Sequence, residues 1–402
     1  MARDRTIALT DDCIMHTYKR VPIVITRGKG VYLWDSSGKR YIDFLGARGA
    51  ANTGYSSPEV VRAITAQAKR LVHVTNDFYT RPQAELARLL VRHSCAEKVF
   101  FCNSGAEANE TAIKLSRLSS YRKYGPGRYV VITAANSFHG RTYGALSATA
   151  QKKYQTGFEP MVPGFRYVQF NDTDGMGAAL GDDVCAVMLE PVQGEGGVYP
   201  GSVEYMKSVR EQTQRKDVLL IMDEVQVGLG RTGRLFAYEN YGIRPDIVTL
   251  AKSIAGGVPM GAVLAGGHAA DVLDLGTHGT TFGGAPIAAA AGVAAVGSII
   301  KHRLSENAKK LGSIALKRLL KLKETHGTII KDVRGMGLII GIEFYDDRRA
   351  AAVYAQCLKD GLITNITNGN TIRFLPPLVI TRDELGRGMD IFEDALSHRH
   401  FE

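Results

Sequence analysis

The sequence predicts an α/β protein: a large domain whose mainly parallel sheet lies between helices, beside a smaller α+β domain. Three features predict it. Residues 128–133, 184–189, 218–222, 247–250 and 262–265 are short, nearly continuous apolar runs, and runs of that length suit strands buried on both faces of a parallel sheet. Between several of them lie helix-compatible segments, for example 203–215, and alternating strands and helices argue for a sheet covered on both sides. The two ends of the chain break this rhythm, which sets them apart as a second unit.

Taken in order, residues 29–44 alternate strand-like residues around the turn signal Asp35-Ser36-Ser37-Gly38, a small antiparallel unit. The five apolar runs and their helices fill the middle. The Ala-dominated stretch 285–300 contains Pro286, Gly292 and Gly297; it is too short and too weakly hydrophobic for a membrane span. After about residue 300 come a long amphipathic helix, the segment 333–344, a helix near 350–359, a strand at 371–375 and a last helix. The expected division is an N-terminal segment, 1–48, joining the small domain, a large domain, 49–298, and a C-terminal small domain, 299–402.

Composition narrows the function classes. A chain of 402 residues, 45% hydrophobic, buries a large core without disulfides or structural metals and is too apolar to be disordered. Lys and Arg number 50 against 40 Asp and Glu, a net +10, but they are dispersed, whereas nucleic-acid binders concentrate their charge. The densest group, Lys309, Lys310, Lys317, Arg318, Lys321 and Lys323, sits in a helix-like segment and reads as a solvated face. Neither nucleic acid nor membrane is an expected partner. Cys13, Cys95, Cys102, Cys185 and Cys357 are odd in number and form no Cys-x-x-Cys pair, and no His-Glu-x-x-His occurs. That usage fits a reducing compartment and no metal centre. With no apolar run of signal-peptide length near Met1, a cytoplasmic enzyme is the expectation.

Four features stand at or near predicted strand ends, where open α/β sheets bind ligands. Asn103-Ser104-Gly105-Ala106 precedes good helix formers; backbone N–H groups and a hydroxyl at a helix start hold phosphate, though Ser-Gly is also an ordinary cap. Asp223 ends an apolar run; a carboxylate there needs a cationic or N–H partner, and reads equally as a helix cap or metal ligand. Lys252 lies after a strand and before Gly256-Gly257; partial desolvation makes such an amine nucleophilic, while a surface lysine is the plainer reading. Phe138-His139-Gly140-Arg141 brings an aromatic ring and a guanidinium, or is a polar loop with one packed Phe. Together the four meet the needs of pyridoxal phosphate: a phosphate cradle, an anion for the pyridine nitrogen, a stacking face and a Schiff-base lysine.

These residues also carry a resemblance. The segments 100–110, 138–142, Leu189-Glu190-Pro191-Val192-Gln193-Gly194-Glu195-Gly196-Gly197, Asp223-Glu224-Val225-Gln226, Gly230-Arg231-Thr232-Gly233, Lys252, 276–284 and Arg373-Phe374-Leu375-Pro376-Pro377 resemble, in order, the class-III pyridoxal-phosphate-dependent aminotransferases. The resemblance covers nearly the whole chain, about 28–381. It implies fold type I, with a seven-stranded type of sheet, and a homodimer with active sites at the subunit interface. It implies that Lys252 binds the cofactor covalently, Asp223 pairs with the ring nitrogen, Phe138 and Val225 cover the ring faces and Gln226 reaches the ring hydroxyl. Ser104, Gly105 and Ala106 would hold the phosphate, with Thr281 of a partner subunit, while Thr280 of that subunit faces the substrate. Arg141 would bind a substrate carboxylate, and Glu195 with Arg373 would form a pair that opens for 2-oxoglutarate.

The implied reaction moves the terminal amine of an acylated diamino acid, N2-acetyl-L-ornithine foremost, to 2-oxoglutarate in arginine biosynthesis, with lysine biosynthesis as a second setting. Ornithine, 4-aminobutyrate, succinylornithine and carrier-bound lysine precursors are alternative donors, and racemases use the same lysine on the same fold. Four departures stand out: Ala285 in place of Asn, Val227 in place of Thr, Gly54-Tyr55-Ser56-Ser57-Pro58 in place of Gly-His-x-His-Pro, and Arg48 where relatives usually carry Tyr or an aliphatic residue. Arg48 is expected to help Arg141 hold the distal carboxylate.

Overall fold

The structure, a computed structural model, describes residues 5–397; residues 1–4 and 398–402 of the expected end segments lie outside it. The central sheet has seven strands in the order Lys98–Cys102, Gly261–Ala265, Ile247–Leu250, Leu219–Asp223, Val184–Leu189, Val130–Ala134 and Phe165–Val168. Six run the same way. Gly261–Ala265 is antiparallel to both neighbours, so the sheet is mainly parallel, as expected, with one reversed strand. All of its residues are buried, and an all-apolar strand carries no mark of its direction. The two outermost strands were not among the five runs read from the sequence: Val99-Phe100-Phe101-Cys102 is apolar but short, and Arg166 interrupts Phe165–Val168.

Strand alternation sorts the core into two layers. Leu219, Ile221, Ala186, Met188 and Val263 pack toward Ala108, Ala112 and Leu115 of the helix Gly105–Tyr124. Leu220, Met222, Val187 and Leu189 pack in the opposite layer with Tyr205, Met206 and Val209 of Val203–Arg215, the helix read from the sequence at the same residues. The Ala-rich stretch forms Pro286–Lys301, packed on Pro58–Ala68 and Arg81–His93. No single helix among the described residues is long and apolar enough to cross a membrane.

The N-terminal and C-terminal parts of the described residues meet. An antiparallel sheet of Ile330–Met336, Ile339–Phe344, Thr371–Phe374 and Asn365–Thr367 occupies the C-terminal part. Ile25–Lys29, Tyr32–Asp35 and Arg40–Asp43 form a second small sheet, whose fourth strand is Leu362–Ile363. Arg231, fully buried, clamps these parts to the centre: it donates to Leu338 O at 2.9 Å, Pro376 O at 2.5 Å and Asn52 Oδ1 at 2.6 Å. Burial pulls its guanidinium down to about 9, with Asp43 opposing.

Candidate active site

Strand ends deliver the site. Asp223 closes Leu219–Asp223, and alternation turns it, with Leu219 and Ile221, toward the helix Gly105–Tyr124. Asn109, one turn into that helix, donates from Nδ2 to Asp223 Oδ2 at 2.8 Å. His139 Nδ1 donates to the same oxygen at 2.7 Å, and the Val225 N–H reaches Oδ1 at 3.0 Å. Three donors thus fix the carboxylate on the wall of a cavity of about 440 Å³. Because the register sets Met222 opposite Leu189, Glu190 follows beside Asp223. Its buried carboxylate accepts the Phe138 N–H at 2.9 Å. Burial pushes this carboxyl up to about 7, His139 opposing the rise and Asp223 adding to it.

Lys252 follows the next strand, Ile247–Leu250, and also lines the cavity. Its backbone sits at φ +49°, a left-handed conformation that costs a non-glycine residue about 1–3 kcal/mol. Such strain is kept where the placing of a side chain matters more than stability. Burial lowers the pKa of the amine, while the Glu195 and Asp223 charges work to raise it.

The phosphate-sized end is the start of the helix Gly105–Tyr124. Ser104 Oγ accepts the Glu107 N–H at 3.2 Å, and Glu107 Oε2 accepts the Asn103 N–H at 2.6 Å, a reciprocal cap. The first N–H groups of a helix have no acceptor one turn back. Gly105 and Ala106, both on the cavity wall, therefore offer donors to an anion. A Cβ on Gly105 would lie 2.7 Å from Val225 Cγ1, so glycine lets the helix start and Val225 close on each other. Phe138 lines the cavity with its ring edge-on to Tyr154, centroids 5.8 Å apart. The exposed Arg141 guanidinium lies over the Tyr154 ring at 4.0 Å.

Behind this wall stands a charge cluster. Glu195 Oε1 is 2.9 Å from Nη1 of the fully buried Arg373, and its Oε2 is 3.8 Å from Nη1 of Arg48. Gln226 clips the cluster together: its Oε1 accepts from Arg373 Nη1 at 3.0 Å, and its Nε2 donates to Glu195 Oε1 at 3.3 Å and to Arg48 O at 3.4 Å. Burial alone would raise the Glu195 pKa. The Arg373, Lys252 and Arg48 charges outweigh it and hold the carboxyl at about 2. Arg373 Nη2 is buried with no hydrogen-bond partner.

Of the expected residues, all but four line this one cavity. Arg373 and Arg48 stand behind Glu195. Thr280 and Thr281 do not line it in this chain: Thr280 Oγ1 accepts from Asn103 Nδ2 at 3.0 Å, and Thr281 is exposed. Gln226, expected at a ring hydroxyl, spends its amide on the charge cluster. Sequence reasoning left Asn109, His139 and Glu190 unassigned. Glu190 carried the same signal as Asp223, a carboxylate directly after a buried apolar run. Asn109 sits four residues after Gly105, on the helix face that meets the sheet.

The fit to pyridoxal phosphate rests on atoms present here. The helix start supplies free donors, three hydrogen bonds hold an acceptor at Asp223, and an amine shares the same cavity. His139 Nε2 is buried and unpartnered, which leaves the imidazole spending its one hydrogen bond on Asp223.

Comparison with known proteins agrees. The Aminotransferase class-III family model matches residues 13–396. An acetylornithine aminotransferase of Caldanaerobacter subterraneus is 45% identical over 388 residues, covering 96% of this chain and 98% of that protein. The acetylornithine aminotransferase of Elizabethkingia anophelis superposes with a TM-score of 0.88 at 35% identity, over 98% of this chain and 99% of that one. An ornithine aminotransferase of Toxoplasma gondii, with partial occupancy of pyridoxal phosphate at its active site, superposes with a TM-score of 0.94 at 34% identity, over 98% and 94%.

Proposed function

The chain belongs to the class-III aminotransferases, pyridoxal-phosphate enzymes acting on an amino donor and a keto acid, and on that premise we propose that it moves the terminal amine of N2-acetyl-L-ornithine to 2-oxoglutarate. The products are the semialdehyde and L-glutamate, a step of arginine biosynthesis. The donor follows the relatives that match this chain nearly end to end. The observation that carries the acceptor is the Glu195–Arg373 pair, with a buried guanidinium that keeps Nη2 in reserve.

When bound, pyridoxal phosphate supplies a carbonyl that condenses with amines and a ring that takes up the electron pair of a departing proton. Gly105, Ala106 and Ser104 would hold its phosphate, Asp223 would pair with its ring nitrogen, and Phe138 and Val225 would cover its faces. Lys252 Nζ takes the proton from the amine-bearing carbon of the substrate and later returns one, and its lowered pKa makes the neutral amine available for this. The donor presents an uncharged segment where 2-oxoglutarate presents its α-carboxylate. Glu195 neutralises Arg373 in the first case and gives way in the second, so that Arg373 grips the carboxylate with two N–H groups. Arg141 holds the distal carboxylate in both.

Glutamate formation from 2-oxoglutarate, measured across a panel of donors, tests this. N2-acetyl-L-ornithine is expected to give the highest kcat/KM. A higher value for ornithine, 4-aminobutyrate or succinylornithine would replace the donor, and racemisation without glutamate would replace the reaction.

The proposed assembly is a homodimer in which Thr281 of one protomer reaches the phosphate of the other. Its exposure, beside exposed Phe282, supports this. Thr281→Ala is expected to weaken cofactor retention without lowering the melting temperature of the apoprotein, and dilution is expected to lower specific activity. Sedimentation of a fully active monomer would overturn the arrangement. Five unpaired cysteines, three of them buried, suit a reducing compartment, and we place the reaction in the cytoplasm.

A further inference from the structure

Glu195 faces two arginines of unlike character. Arg373 is fully buried on the strand Thr371–Phe374. Arg48 stands on a short left-handed turn, φ +57° after Ala47 at +49°, and its side chain is 59% exposed. One carboxylate oxygen is bonded to Arg373 at 2.9 Å, and the other looks toward Arg48 across 3.8 Å. The gap to Arg48 is longer than a charged hydrogen bond, so the second contact is present in outline but not made. Gln226 holds the backbone carbonyl of Arg48 and so keeps this distance short.

A carboxylate in this position has a difficulty. Glu195 is 18% exposed in its side chain; if it leaves Arg373 with no other cation to receive it, it becomes a largely desolvated, unpaired charge. Moving the carboxylate by about 1 Å toward Arg48 turns the long contact into a hydrogen-bonded pair of ordinary length. The exposed guanidinium has the freedom to meet it, as the buried one does not.

We propose that Arg48 is the receiving partner of Glu195: when a dicarboxylate ligand takes Arg373, the Glu195 carboxylate passes to Arg48. Arg48 is thus a positioning residue for the acceptor, acting through Glu195 and not by touching the ligand. This differs from its expected place beside Arg141. It rests on the proposed opening of the Glu195–Arg373 pair.

The test is binding of glutarate, a dicarboxylate that cannot react, measured by calorimetry on the holoenzyme, with half-reaction kinetics beside it. Arg48→Ala is expected to weaken glutarate binding about tenfold, 1.4 kcal/mol in free energy, and to slow the 2-oxoglutarate half-reaction to match. The donor half-reaction should stay within about twofold, and Arg48→Lys should restore most of the loss, because the charge and not the fork is what receives the carboxylate. In a Glu195→Gln background there is no charge to pass on, so Arg48→Ala should have no further effect. A loss that persists in that background would mean Arg48 meets the ligand itself, and unchanged glutarate binding in Arg48→Ala would remove any role; either overturns the inference. A wild type that neither binds glutarate nor forms glutamate would overturn the proposed reaction as a whole, a result distinct from both.

Discussion

Replacing Lys252 with alanine is expected to lower turnover by about 10⁴-fold and to abolish the visible absorption that the wild type shows with its cofactor. The protein should still fold. Alanine inherits the left-handed backbone at φ +49°, so strain is neither added nor relieved, and the truncated side chain faces a cavity rather than packed core. The loss is chemical: no other amine lines the cavity among the described residues. The same group sets a pH dependence. Burial lowers the Lys252 pKa, and the neutral amine does the work, so donor half-reaction rates should fall as pH drops through that lowered value. A wild type that stays colourless with added cofactor, or an active Lys252→Ala protein, would remove Lys252 from its role.

The second large effect is a split. Arg373→Ala should cost the 2-oxoglutarate half-reaction about 1.5–3 kcal/mol, the range for a charged hydrogen bond, while the donor half loses far less. Glu195→Ala should reverse the order, because it leaves Arg373 as an uncompensated cation beside the uncharged donor segment. Both residues are largely or fully buried, so melting curves belong beside the kinetics; a stability loss shared by the two variants would leave the split between halves untouched. Equal losses in both halves for Arg373→Ala would make the pair a fixed structural contact.

Much of this site was legible because chemistry leaves local marks. Asp223 and Lys252 each follow a run of buried apolar residues, and although each charge alone has a plainer reading, the four features together meet the needs of one cofactor. Ser104-Gly105 announces a helix start whichever ligand it serves. Less legible were relations between strands. Nothing in residues 261–265 tells that the strand runs against its neighbours, since its residues are apolar on both faces. The Asn109–Asp223 bond joins residues that only the layer order of the sheet brings together. Gln226 shows the converse: its place in a motif was plain, but its amide is committed to Arg373, Glu195 and Arg48, a cluster drawn from three distant segments.

The reversed strand Gly261–Ala265 also sets a timetable. Lys98–Cys102, which leads into the helix start at Ser104, is bonded in the sheet to that strand alone and stands at the edge. During synthesis it is therefore the first strand of the sheet to leave the ribosome and the last to find its partner, some 160 residues later in the chain. Until residue 265 has emerged, Lys98–Cys102 has no strand to pair with and the edge of Ile247–Leu250 stays open. Long-range pairings of this kind form slowly and leave strand edges exposed to other chains meanwhile. The closing of this edge is thus a late event of folding, and a nascent chain cut short of that strand carries most of the sheet with two strand edges unpaired.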